Sequence, residues 1–265
     1  MEASGVAVVT GASRGIGKAV ARELATRGFD VLATMRKTDD GADLRDAPNV
    51  TVGRLDVTDP DSIDLPDGVR VLVNNAGVES DNLPIEVMPS EAWRTLFETN
   101  VFGLVEVTRR AIPSMRDAGG GVICNITSSS LLAPVPFLGA YRASKAAVTA
   151  IGESLCAELA PFGIRVIEVM PGPIETDMLS TSDRPAAAIN YPDYRAVAEK
   201  LWSSRQGVRT AYTPAAEAAR RIADAILDDG GPLRYGCDDM SEGMLGGWNA
   251  SDNAEWTDTM LQSMS

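Results

Sequence analysis

The sequence predicts an α/β fold, a doubly wound parallel sheet forming a single domain across residues 1–265. Three observations carry that prediction. Short β-branched runs alternate with helical stretches along most of the chain. A glycine-rich turn joins the first of these runs to the first helix. Hydroxyl, amide and Pro-Gly clusters stand where later runs end, and such sheets place their ligands at the carboxyl ends of strands.

Val6-Ala-Val-Val-Thr10 reads as a buried strand, followed by Gly11-Ala-Ser-Arg-Gly15-Ile-Gly17 and a helical stretch from Lys18 to Arg27. Glycine lets the backbone turn tightly and approach a pyrophosphate, whose charge meets the free N–H groups of the helix start. A plain tight turn is the alternative. Phe29 to Arg36 reads as the second strand, and its end sorts NAD from NADP. An acid there would bond a ribose hydroxyl, but the chain places Met35 and Arg36 there, with no carboxylate until Asp39. Arg36 and Arg14 together are suited to clamp a 2′-phosphate, which predicts NADP(H); the alternative for each is a solvated arginine.

Val50 to Leu55 reads as a third strand ending at Asp56-Val57, and Val69 to Val73 as a fourth ending at Asn74-Asn-Ala-Gly77. The crossover between them holds Pro60, Pro66 and Gly68 and leaves little room for a helix. From Ser90, a plausible N-cap, an apolar stripe at helical spacing runs through Trp93, Leu96, Val101, Leu104, Ala111 and Met115. Asn100 lies on that stripe. A buried amide must find partners, so it is either a structural bridge or part of a proton and water relay.

Val122 to Ile126 is the fifth strand and runs into Thr127-Ser-Ser-Ser130, either an active-site hydroxyl or a hydroxyl-rich turn. The apolar loop Leu131 to Leu138 follows. Small and apolar residues predict a helix from Tyr141 to Phe162, which sets Tyr141 and Lys145 one turn apart on one face. An ammonium beside a phenol lowers the phenol's pKa from about 10 toward the range of a general acid or base. The bland alternative is a packed Tyr and a solvated Lys. Ile164 to Met170 is the sixth strand, closing at Pro171-Gly-Pro-Ile-Glu-Thr176; residues 177–211 read as a substrate-covering excursion. A helix over Pro214 to Asp228 and a short strand over Pro232 to Tyr235 precede an acidic tail, 236–265, expected as a terminal helix on a neighbour or a frayed end.

Charge and composition exclude other classes. With 24 Lys plus Arg against 37 Asp plus Glu, the net charge of −13 disfavours nucleic acid and anionic membrane. The chain has no His, and its three cysteines lack ligand spacing, so neither a metal site nor a His-based triad is expected. The cysteine usage predicts a reduced, cytoplasmic setting. No signal-peptide pattern is seen, and no apolar run approaches the roughly 18 residues that span a bilayer.

Together, Thr10-Gly-x-x-x-Gly-x-Gly17, Asn74-Asn-Ala-Gly77, Asn100, Ser128, Tyr141-x-x-x-Lys145 and Pro171-Gly-x-x-x-Thr176 resemble the short-chain dehydrogenase/reductase family in order and spacing. The resemblance covers essentially the whole chain and implies a Rossmann-type fold. It implies Tyr141 as acid/base, Lys145 lowering its pKa and holding the nicotinamide ribose, Ser128 bonding the substrate oxygen, and Asn100 completing a relay. Ser128 is preferred to Ser129 and Ser130 by the family's serine-to-tyrosine spacing.

Gly11, Ser13, Arg14, Gly15, Ile16 and Gly17 would hold the pyrophosphate and adenosine ribose, Asp56 and Val57 the adenine, and Asn75, Ala76 and Gly77 the ribose side. Pro171 and Gly172 would border the cofactor, with Ile174 and Thr176 on the nicotinamide amide. Phe29 to Lys37, Phe137 to Tyr141 and Leu233-Arg-Tyr235 look closest to the branch of 17β-hydroxysteroid and retinol dehydrogenases.

The expected activity is therefore NADP(H)-dependent interconversion of a secondary alcohol and a ketone on an apolar cyclic, aryl or steroid-like substrate. Its pocket would be lined by Leu131, Leu132, Val135, Phe137, Ile174, Met178, Leu179 and Trp202, which could instead be core. The alternatives are 3-oxoacyl thioester reduction and a non-catalytic NADP(H) sensor. Family members assemble as homodimers or homotetramers through two long helices, here Ser90 to Arg116 and Tyr141 to Phe162.

Overall fold

Seven parallel strands form one sheet in the order β3-β2-β1-β4-β5-β6-β9. The computed structural model describes residues 1–176, 185–208 and 212–264. The strands are β1 (Val6–Val9), β2 (Asp30–Met35), β3 (Val50–Arg54), β4 (Val69–Asn74), β5 (Gly121–Ile126), β6 (Ile164–Val169) and β9 (Arg234–Tyr235). A second, two-stranded piece pairs β7 (Ile174–Glu175) with β8 (Thr213–Pro214).

Successive strand residues point to opposite faces, and the core divides accordingly. Ala7 and Val9 of β1 join Leu24, Phe29, Ile222 and Ile226 under α1 (Gly15–Arg27) and the helix Ala215–Leu227. Val8, between them, joins Val107, Met115, Leu159 and Val166 on the other face, under α3 (Leu104–Asp117) and α4 (Gly139–Leu159). The sheet is thus wound on both faces. Its order reverses between β1 and β4, which opens the crevice where such sheets bind ligands.

The lean β3–β4 crossover holds only a 3₁₀ turn at Pro60–Ser62. The expected long helix from Ser90 is three segments in line: α2 (Ser90–Phe97), a π-helical turn (Glu98–Gly103) and α3. Ser90 is not its N-cap. Pro89 takes that position, and Ser90 is the first helical residue. The second long helix begins earlier than predicted, at Gly139, and gives way to a 3₁₀ turn at Ala160–Phe162.

The tail folds on its own chain rather than fraying. Asp238 accepts a hydrogen bond from Ser241 N–H in a capping box that starts the helix Asp239–Ala250, and a further helix spans Asn253–Met264. The Trp256 indole donates to the Leu132 carbonyl, while Leu245 packs with Leu132 and Met170. Of the predicted excursion 177–211, a helix spans Arg195–Val208, and residues 177–184 and 209–211 lie outside the described residues. Among the described residues, no helix is long and apolar enough to cross a membrane.

Candidate active site

Thr10, at the end of β1, ties the two strands at the switch point together. Its hydroxyl accepts from the backbone N–H groups of Asn75 and Ala76, both at 3.1 Å, and donates to the Val73 carbonyl. The Asn75 amide returns the contact, donating to the carbonyls of Thr10 at 2.9 Å and Gly11 at 3.1 Å. Only glycine fits this junction. Gly11 has φ +65°, and a Cβ there would stand 2.8 Å from the Ala76 Cα; at Gly17 it would stand 2.3 Å from the Asn75 amide nitrogen. Gly17 and the Asn75 side chain therefore shape the turn from behind.

Every predicted site residue except Gly17 and Asn100 lines one cavity of about 680 Å³ at the carboxyl ends of the strands. At one end the first turn of α1 carries no side-chain cap and no acid, which leaves its N–H groups for an anion. Arg14 and Arg36 line the cavity there, both exposed. Burial raises the Asp56 carboxyl, but hydrogen bonds from Thr58 and the charges of Arg36 and Arg54 outweigh it, so its pKa is lowered. A glycine turn meeting an uncapped helix start, with two guanidinium groups and no acid at the end of β2, fits a phosphorylated dinucleotide.

At the other end stand Ser128, Tyr141 and Lys145. Ser128 ends the extension of β5, where its hydroxyl accepts from Ser130 N–H at 3.2 Å, and it faces the Tyr141 phenol, whose pKa it acts to lower. Lys145 is 7% exposed and donates to the Ile126 carbonyl at 2.8 Å. Its Nζ lies 5.9 Å from the centre of the Tyr141 ring.

The expected depression of the phenol's pKa is not present in the protein alone. Burial raises it, the charge of Glu79 adds to the rise, and the Ser128 hydrogen bond only opposes them. Lys145 is itself shifted down to about 8 by burial, against the opposing charges of Glu79 and Glu168. Desolvation disfavours both charged forms and outweighs the attraction that the sequence spacing promised.

Asn100 stands behind the site, not in it. It lies on the π-helical turn, 1% exposed, and grips one residue from both sides: Val78 N–H donates to its Oδ1 at 2.8 Å, and its Nδ2 donates to the Val78 carbonyl at 3.0 Å. The same nitrogen donates to Ser144 Oγ at 3.0 Å, and Ser144 donates to the Tyr141 carbonyl. Of its two readings, the geometry displays the structural bridge, which fixes the wall ahead of Glu79 and the first turn of α4 together.

The apolar pocket set resolves differently from its expectation. Among its described members only Ile174 lines the cavity. Leu131 and Leu132 pack with Met170 and Leu245, and Phe137 packs with Ala186, Ala188 and Ala198; Met178 and Leu179 lie outside the described residues. Sequence reasoning missed the charged wall instead. Glu79, Glu91, Arg94 and Glu98 line the cavity, and their signal was weak because each stands on a loop or helix that reads as ordinary surface. It also missed Asp238, whose carboxylate accepts from Gly172 N–H at 2.7 Å and so anchors the Pro171-Gly172 wall.

The comparisons with known proteins agree with this geometry. The family model described as short chain dehydrogenase matches residues 5–186. The oxidoreductase YusZ of Bacillus subtilis is 41% identical over 67% of this chain and 68% of its own length. The 3-oxoacyl-[acyl-carrier-protein] reductase FabG of Vibrio cholerae is 34% identical over 85% of this chain and 96% of its own. A short chain dehydrogenase from Burkholderia cenocepacia, solved in complex with NADP, superposes with a TM-score of 0.77 at 28% identity, covering 98% of this chain and 99% of that one. An architecture shared over nearly the whole length and a family match over most of it lead to one assignment: the chain is an oxidoreductase of the short-chain dehydrogenase/reductase family.

Proposed function

We propose that the protein uses NADP(H) to interconvert a secondary alcohol and a ketone. The observation that carries this reading is that Ser128, Tyr141 and buried Lys145 line one cavity together with the glycine turn. The NADP-bound relative from Burkholderia cenocepacia and the arginine pair without an acid at the end of β2 support the cofactor. When bound, NADP(H) supplies or accepts the hydride.

The residues of the chain do the rest. The start of α1 holds the pyrophosphate with Gly11, Ser13, Gly15 and Ile16, and Arg14 and Arg36 take the 2′-phosphate. Asp56 and Val57 border the adenine; Asn75, Ala76, Gly77, Pro171, Gly172, Ile174 and Thr176 border the nicotinamide half. Ser128 Oγ donates to the substrate oxygen, and Tyr141 Oη gives that oxygen its proton during reduction. A phenol whose pKa is held high stays protonated, which is the form reduction needs. Lys145 places a positive charge behind the phenol, and Asn100 fixes the wall beside it.

For the substrate we propose a ketone or alcohol with an apolar body, supported by Val78 and Ile174 in the cavity wall and by a rat relative, estradiol 17-beta-dehydrogenase 2, 33% identical over 66% of this chain. A second reading, 3-oxoacyl thioester reduction, is favoured by the near full-length match to FabG. We also propose a homodimer or homotetramer formed through the long helices, supported by Phe102, 58% exposed, and Val105, 37% exposed.

The test is NADPH and NADH oxidation by the purified protein across steroid, aryl, cyclic and acyl-thioester ketones. Faster turnover with NADPH on bulky ketones is expected. Tight NADPH binding with no turnover on the whole panel would move the sensor reading ahead.

A further inference from the structure

Glu168 breaks the apolar run of β6 and is 4% exposed. Its carboxylate is fully engaged. Oε1 accepts from Thr127 Oγ1 at 2.8 Å and from Thr149 Oγ1 at 2.6 Å, and Oε2 accepts from Arg234 Nε at 3.1 Å. These partners are not scattered. Thr127 follows Ile126, whose carbonyl takes the Lys145 ammonium, and Thr149 lies one turn beyond Lys145 on α4, with its hydroxyl also 3.3 Å from the Lys145 carbonyl. The acid thus grips the two hydroxyls that flank the lysine, one on each element that holds it.

An ammonium at 7% exposure has lost most of its water, and an isolated buried charge is costly unless an opposite charge or a hydrogen-bond network compensates it. We propose that Glu168 is a positioning residue that keeps Lys145 protonated at the working pH, with Arg234 setting how much of the acid's charge reaches the lysine. The proposal rests on reading Lys145 as the cation behind the catalytic phenol.

Lys145 is faced from three elements: Glu168 from β6, Glu79 from the stretch after β4 and Tyr141 from its own helix. Both acids favour its charged form, against burial. Glu79 lines the open cavity, where water screens it; Glu168 acts through the protein interior, where the effective dielectric is lower. Arg234 divides its guanidinium between Glu168 and Glu153, and its charge lies 5.4 Å from the centre of the Trp248 ring. The tail helix carrying Trp248 therefore adjoins the counter-ion of the buried acid.

The experiment measures the Lys145 titration directly, in cofactor-free protein, by the pH dependence of its competitive acetylation, quantified by peptide mass spectrometry. The same variants are then followed through the alkaline limb of the kcat profile for ketone reduction. Glu168→Gln removes the charge and keeps the shape, so the lysine should lose its proton about one pH unit lower than in the wild type. Arg234→Gln uncovers the acid, so the lysine should titrate higher. Opposite movements are expected in both readouts; damage to the fold would expose the lysine and move both variants upward toward 10.5, so the downward movement in Glu168→Gln is the one that damage cannot mimic.

The proposal is overturned if Glu168→Gln leaves the titration in place while lowering kcat equally at all pH values, or if both variants move it the same way. If Glu168→Gln fails to fold, Arg234→Gln decides alone, provided its unfolding midpoint matches the wild type: no rise, or a fall, overturns it. A wild type without turnover would defeat the oxidoreductase reading and leave the acetylation result standing by itself.

Discussion

The Lys145 ammonium donates to the Ile126 carbonyl at 2.8 Å and lies 5.9 Å from the centre of the Tyr141 ring, so strand β5 holds the cation beside the phenol. The backbone, rather than the phenol, is its direct partner. Tyr141 accordingly keeps its proton in the free protein, where burial and the charge of Glu79 outweigh the opposing effect of Ser128.

Tyr141→Phe removes the proton donor and leaves the ring. NADPH affinity is expected to stay near that of the wild type while kcat falls by at least ~10²-fold, the usual scale for acid/base catalysis. Near-normal turnover in this variant, measured at saturating NADPH, would sink the mechanism.

Lys145 is held well below the usual lysine value, at about 8 against 10.5, and burial is the main cause. Its native state therefore binds a proton less tightly than the unfolded chain, and the resulting destabilisation is complete below pH 8. Stability from this group returns as pH rises from about 8 to 10.5. Lys145→Met should be more stable at pH 7 by on the order of 2 kcal/mol, although inactive. That advantage should shrink above pH 8, and denaturant curves that stay parallel at every pH would refute the linkage.

Arg36 stands exposed at the cavity rim just beyond β2, where an acid would favour NAD. Arg36→Asp is expected to turn the preference from NADPH toward NADH, mainly through KM. Unchanged preference in parallel titrations of the two cofactors would mean that the 2′-phosphate is held elsewhere.

Asn100→Ala strips partners from the N–H and carbonyl of Val78 and from Ser144. Leaving such groups unpaired costs about 1–3 kcal/mol each, so the unfolding free energy should drop by roughly 2 kcal/mol or more. Equilibrium denaturation checks this, and an unchanged midpoint would show that water replaces the amide without loss.

Local signals made much of this molecule legible. The strand, glycine turn and helix from Val6 to Arg27 are written in neighbouring residues, and Tyr141 and Lys145 needed only helical spacing. What failed to show depends on distant partners. β7 and β8 are two-residue strands whose pairing joins residues far apart in sequence. The first tail helix is rich in glycine, at Gly243, Gly246 and Gly247, which left the tail open between a terminal helix and a frayed end, although Asp238 and Ser241 at capping distance were an available signal. Gly247 is needed there, because a Cβ would stand 2.3 Å from the Trp256 ring. Glu168 was visible as an acid inside an apolar strand, but its meaning came only with Thr149 and Arg234 beside it. The pKa order of Tyr141 and Lys145 was out of reach because spacing carries no information about burial.

The π-helical turn at Glu98–Gly103 makes the length of this helix a coded quantity. Such a turn holds one residue more than an α-helix needs, and each residue of an α-helix turns the chain by about 100°. Deleting a single residue between 98 and 103 would be absorbed by closing the turn to α geometry, whereas the same deletion within α2 or α3 would rotate everything upstream about the axis relative to everything downstream. Asn100 would swing off Val78, or Phe102 and Val105 would swing off the surface. The register of wall and outer face therefore depends on the lengths of α2 and α3, and a loss in the π turn between them carries a smaller penalty.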